Sequence, residues 1–150
     1  MIDSKICLKT VEAAEWFVKA YYTEVIDFFL HPSNVYGYVI LTDILKIAMA
    51  KQIIHIDDLL SDDETVWKKL IDSTDHELLQ KMKDIGKKVT YDEGDYDIHQ
   101  KKKVRIIDPF VLVGNGRIKK ATELSTKVRE LNEYALEKSL KGTFVRVLNT

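Results

Sequence analysis

One hundred and fifty residues give room for one ordinary domain or two small packed lobes, and exclude a large multidomain enzyme. A chain that is 45% hydrophobic and 31% charged, with 6 Gly and 2 Pro, has a globular profile; collagen, a long disordered tail and a Pro-rich linker are ruled out. The net charge of -1 conceals an asymmetry: residues 1–80 carry 7 Lys+Arg against 14 Asp+Glu, and residues 81–150 carry 16 against 10. Halves of opposite sign attract one another, or the opposite halves of neighbouring copies. A single cysteine, Cys7, excludes a disulfide framework and a Cys-based zinc cluster. The opening Met1-Ile2-Asp3-Ser4-Lys5 lacks the charged head and apolar core of a signal peptide, which points to the cytoplasm.

From about Thr10 to Leu30, Ala14, Phe17, Val18, Tyr21, Val25, Phe28 and Phe29 recur at three- and four-residue steps, which predicts a helix with one buried face. Glu12, Glu15, Lys19, Thr23 and Asp27 form its polar side, and Pro32 ends it near His31. Ser33 or Asn34 then caps a second helix, about Val35 to Lys51, that is apolar nearly all round. As a membrane span it is short, and Asp43 and Lys46 at its centre would each cost about 3 kcal/mol at mid-bilayer. A central helix of a helical array fits better.

A helical turn at Ile56–Leu60 follows. Ser61-Asp62-Asp63-Glu64 and Thr74-Asp75-His76-Glu77 both read as capping boxes opening helices, with cores at Val66, Trp67, Leu70 and Ile71, and then Leu78, Leu79, Met82 and Ile85. Gly86 supplies a stop. Beyond it the pattern changes. Lys88–Tyr91 reads as a short strand, Asp92-Glu93-Gly94-Asp95 as a polar turn, and Lys103–Val113 as a strand interrupted by Pro109. Gly114-Asn115-Gly116 supplies the positive φ of a turn. Ser125 caps a helix carrying Val128, Leu131, Tyr134, Ala135 and Leu136 inward, Gly142 ends it, and Thr143–Leu148 alternates as a last strand. The expected fold is mainly α with a small α+β C-terminal lobe: a helical array over 1–86, then a short antiparallel sheet packed with one helix over 87–150, the two packed as one unit.

Chemistry is sparse. His31, His55, His76 and His99 form no close helical pair and no His-Asp dipeptide, so each reads as structural. Asp57-Asp58 and Asp62-Asp63 lack the ligand spacing of a calcium loop and suit helix N-termini, where each acid gains roughly 0.3–1 kcal/mol. Gly114-Asn115-Gly116 precedes Arg117, Lys119 and Lys120, yet the Gly-Lys-Ser/Thr of a phosphate loop is missing. A solvated basic edge is the plainer reading. Anion or nucleotide binding through Arg105, Arg117, Lys119 and Lys120, with Lys101–Lys103, is the other. Nucleic acid is disfavoured because the aromatics cluster in the acidic half. No nucleophile with its base can be assembled.

The order of segments resembles a known family. Ile6-Cys7, then Val11-Glu12-Ala13-Ala14-Glu15-Trp16-Phe17-Val18-Lys19-Ala20-Tyr21-Tyr22, then Phe29-Leu30-His31-Pro32, resembles part of the HD-domain phosphohydrolases, in particular their deoxynucleoside-triphosphate triphosphohydrolase branch. Ile56-Asp57-Asp58-Leu59-Leu60 with Asp62-Asp63 is similar to a turn and aspartate pair of that family, and Lys103-Val104-Arg105-Ile106-Ile107-Asp108-Pro109 to a phrase of its C-terminal lobe. The resemblance spans nearly the whole chain, through soft patterns. In that family a His, a His-Asp pair and a further Asp bind the metal upstream of the matched region, and this chain has no such set. Tyr21 stands where members often carry a phosphate-binding Arg ten residues before the helix-ending His, and a tyrosine cannot make that bidentate contact.

The resemblance therefore implies a non-catalytic C-terminal-type module that self-associates or docks on a separate HD-containing chain. With no metal-binding set, it predicts no cofactor and no catalysis by this chain alone; the charges inside the second helix separately predict no membrane partner. A nucleotide- or anion-binding regulatory module is the alternative, and a metal-dependent dNTP phosphohydrolase the second.

Overall fold

The computed structural model describes residues 5–148. In chain order the elements are β1 (Cys7–Leu8), α1 (Val11–Tyr22), a π-helical turn (Thr23–Phe28), α2 (Pro32–Ala50), a 3-10 turn (Ile56–Leu60), α3 (Asp63–Ile71) and α4 (His76–Met82). Then come β2 (Val89–Tyr91), β3 (Ile98–Gln100), β4 (Phe110–Leu112), β5 (Ile118–Lys120), α5 (Ala121–Leu124), α6 (Thr126–Lys141) and β6 (Thr143–Val147). The protein is mainly helical with a small α+β part, as its periodicities predict.

The division of the chain differs from a break at residue 86. One compact unit takes residues 1–31 and 99–143, and the other takes 32–98 and 144–150. The expected 1–86 array and 87–150 lobe are thus interleaved, because strands and helices find their burial partners far along the chain.

In the first unit α1 and its π-helical continuation bury Ala14, Val18, Tyr22 and Ile26 against Val111 of β4, Ala121 of α5 and Val128 and Ala135 of α6. The buried stripe is narrower than the apolar pattern suggests, for Phe17 and Phe28 lie outside it. Thr10 caps α1 by accepting from the Ala13 N–H at 3.2 Å. The π-helical turn follows with the Phe29 N–H reaching five residues back to the Glu24 carbonyl. The Tyr22 hydroxyl donates to Asn132 Oδ1 at 2.7 Å and accepts from the Ile107 N–H at 3.1 Å, and burial raises its pKa. That pins the irregular 101–109 stretch, which is not the strand expected over Lys103–Val113. Only Phe110–Leu112 pairs, since Pro109 has no N–H to donate.

β4 pairs in parallel with β1 and antiparallel with β5, so this sheet is mixed where an antiparallel one is expected. Gly114, Asn115 and Gly116 turn the β4–β5 hairpin with φ of 71°, 46° and 72°. Ser125 caps α6 as predicted: its Oγ accepts from the Val128 N–H and donates to Glu15 Oε1, which lowers the Glu15 pKa. Tyr134 and Leu136, expected inward, are exposed. Tyr134 instead donates to Asp27 Oδ1 at 2.7 Å, and that bond pushes its hydroxyl up to about 12.

In the second unit α2 buries Val35, Tyr36, Ile40, Ile44 and Ala48, which pack with Ile54, Leu70 of α3, Leu78 of α4 and Val145 of β6. Pro32 is the first residue of α2, so the helix opens before Ser33 and Asn34, the expected caps. A first-turn N–H has no helical partner in any case, and the fixed φ of proline suits that position. The caps of the next two helices move by one residue from the expected hydroxyls. Asp62 accepts from the Thr65 N–H at 2.7 Å and Asp75 from the Leu78 N–H at 2.8 Å, because each carboxylate offers a charged acceptor to the helix start. Trp67, Ile71, Leu79 and Ile85, expected in the core, are exposed. β2 pairs antiparallel with β6 in a sheet of order β2–β6–β3.

Candidate functional site: an acidic-rimmed apolar groove

Most of the buried apolar residues of α2 face the core, yet Leu41 and Leu45 line a groove on the second unit. Its other walls are Leu59 and Ser61 at the 3-10 turn, the cap residues Asp62 and Asp63, and Val66, Trp67 and Leu70 of α3. The groove encloses about 370 Å³. Residues 63, 66, 67 and 70 fall on one face of α3 by helical spacing, so this face of α3 forms one side of the groove. Leu41, Leu59 and Trp67 stay 44%, 41% and 43% exposed, and Leu60 and Ile56, on the same 3-10 turn as Leu59, reach 83% and 62%. Contiguous apolar exposure of this kind, framed by polar residues, marks contact surfaces on folded proteins. A second, more polar hollow of about 600 Å³ lies against α3 with Ile53, Thr65, Lys68, Lys69, Asp72, Ser73 and Thr74.

Two carboxylates, Asp62 and Asp63, lie in the groove's lining, and other acids of this unit are also held charged. Asp58 is tied at 2.6 Å to the Lys69 ammonium and accepts from the His55 N–H at 2.8 Å, and the lysine above all holds its carboxyl below the usual range. The Thr65 N–H does the same for Asp62. At the N-terminal cap of α4 the Lys51 ammonium lowers Asp75. Each of these folded pKa values lies below the ordinary 3.8, so the stabilisation is present in full above about pH 4. It is lost as pH falls through the lower folded values. Thermal melts from pH 6 to pH 2 should show the melting temperature dropping below pH 4. The drop should be shallower in Asp62→Asn, which keeps a cap but no titrating group; an equal drop in both would remove Asp62 from the account.

The four cations singled out in the sequence are placed in the first unit. Arg117 closes the β4–β5 hairpin, its N–H donating to the Gly114 carbonyl and its own carbonyl accepting from the Val113 N–H. Lys119 and Lys120 are consecutive in β5, so they point to opposite faces of the sheet and do not converge. The Lys120 ammonium lies 3.8 Å from Asp108 Oδ2, and that carboxylate also accepts from the Thr122 N–H and hydroxyl. Arg105 sits exposed in the irregular 101–109 stretch. Arg117, Lys119 and Lys120 thus share one hairpin without converging on a common point, and Arg105 belongs to a different segment of the chain. The groove went unrecognised in the sequence because Trp67, Leu41 and Leu59 look like core residues. The available signal was the surplus of apolar positions on α2 and the Leu59-Leu60 pair.

Among the described residues no three His, Cys, Asp or Glu side chains come together as a metal site would need. No helix among the described residues is long and apolar enough to cross a membrane. A family model described as "Domain of unknown function (DUF8601)" matches residues 33–105, a stretch that contains the groove. No solved structure matches the chain. The chain is 45% identical over 141 residues to the "Uncharacterized protein YdhJ" of Bacillus subtilis (strain 168), a match covering 93% of this chain. It spans 43% of that relative's length, so more than half of the relative lies beyond the match.

Proposed function

We propose that the chain is an interaction module of the non-catalytic C-terminal type found in HD-domain nucleotide phosphohydrolases, and that it works by docking, on a further copy or on a polypeptide carrying the HD half. The observation that carries this reading is the groove formed by Leu41, Leu45, Leu59, Val66 and Trp67, open on a unit that has its own buried core. Burying apolar area is worth about 25 cal/mol per Å², so covering this surface gives a partner a driving force that needs no reacting group. The length of the B. subtilis relative beyond the match supports a further polypeptide region alongside such a module.

Size-exclusion chromatography with light scattering tests it, on the chain alone and mixed with the part of that relative outside the matched stretch. Self-association or co-elution is expected, weakened at least tenfold in Trp67→Ala, a truncation of a central aromatic anchor. A chain that stays monomeric and elutes apart from that polypeptide would sink the reading. So would release of triphosphate from a deoxynucleotide by the purified chain with manganese or magnesium.

A further inference from the structure

We propose that the occupant of the groove is the basic segment Lys101–Ile106 of a second copy of this chain, bound there in extended form. The inference rests on the docking reading and names the partner. Three observations carry it. First, charge separates along the units: the first unit holds 14 Lys+Arg against 10 Asp+Glu, and the second holds 9 against 14. Second, the groove has Leu41, Leu59, Val66 and Trp67 as its apolar walls and Asp62 and Asp63 in its lining, with Glu64 next along α3. Third, the segment has the matching chemistry. It has no regular secondary structure, and Val104 and Ile106 are 37% and 41% exposed while Lys101, Lys103 and Arg105 are exposed beside them.

Bound as an extended strand, the segment would set Val104 and Ile106 on one face and Lys103 and Arg105 on the other, since alternate residues of an extended chain share a face. An apolar edge flanked by cations complements an apolar trough flanked by carboxylates. Paired fields of opposite sign steer such an encounter and fix its register. In a two-fold dimer the exchange occurs twice, each copy giving its segment and receiving the other's. Asp62 and Asp63, facing their own counterparts, also select against two copies meeting groove to groove.

The experiment is charge reversal read by sedimentation velocity in low salt. Wild type is expected to self-associate, more weakly as sodium chloride rises, since salt screens the rim charges. Lys103→Glu with Arg105→Glu in one chain, and Asp63→Lys with Glu64→Lys in another, should each weaken self-association at least tenfold. An equimolar mixture of the two should recover it, which also shows that both variants are folded. Wild type that remains monomeric at millimolar concentration overturns the inference, as does either variant associating like wild type or a mixture that fails to recover. The broader docking reading is decided apart from this, by co-elution with the longer polypeptide.

Discussion

Gly142→Ala is expected to destabilise the first unit by about 3 kcal/mol or more, the sum of backbone strain and overpacking. Gly142 has φ of 77° and ψ of -169°, a combination open almost only to glycine. A Cβ there would meet the Gln100 carbonyl oxygen at 2.7 Å, the Gln100 carbonyl carbon at 3.2 Å and Lys101 Cγ at 3.0 Å. Two of those three atoms are backbone and have no rotamer to change. Gly142 is also where α6 stops, its N–H donating to the Lys138 carbonyl before β6 begins. Hydrogen exchange by mass spectrometry should show the end of α6 and the Gln100 region losing protection first. Gly37→Ala is the control. Gly37 lies inside α2 with nothing within 4 Å of a new Cβ, so alanine there should stabilise by roughly 0.5–1 kcal/mol. Equal behaviour of the two variants would refute the conformational argument.

Ile44→Ala is expected to cost the second unit about 2–5 kcal/mol, the loss of buried methyl groups plus the cavity they leave. Ile44 is fully buried in the middle of α2, within the cluster of Ile40, Ala48, Ile54, Leu70 and Leu78. Set against a total stability of about 5–15 kcal/mol for a typical domain, that is a large share. Urea denaturation followed by circular dichroism measures it, and hydrogen exchange within 32–98 places it. Three positions earlier on the same helix Leu41 is 44% exposed and lines the groove. Its truncation should leave the denaturation midpoint nearly unmoved and weaken association. A Leu41→Ala chain as unstable as Ile44→Ala would mean that Leu41 serves the core and not a partner.

Much of the local structure was legible from residue order. Ser125 and Gly142 bracket α6, Gly114-Asn115-Gly116 takes positive φ, and Ile56–Leu60 is a short helical turn, all as their residue types require. These features depend on groups within a few positions of one another, so the chain's own order states them. The shifts by one residue at Asp62 and Asp75 have the same origin, two good capping residues standing side by side. The candidate site was less legible. Periodicity shows which positions are apolar, and both Leu70 and Trp67 satisfy it, but one is buried and the other lines a groove.

Residue spacing by itself therefore determined the helical class, the caps and stops, and the opposed charges of the two halves. Tertiary structure alone decided that residues 99–143 join residues 1–31 while β6 returns to β2, and that β1 meets β4 across about a hundred residues. Those pairings are chosen by which surfaces bury one another best over long separations, a competition that no local pattern records. The leftover apolar surface, and with it the groove, follows from the outcome of that competition.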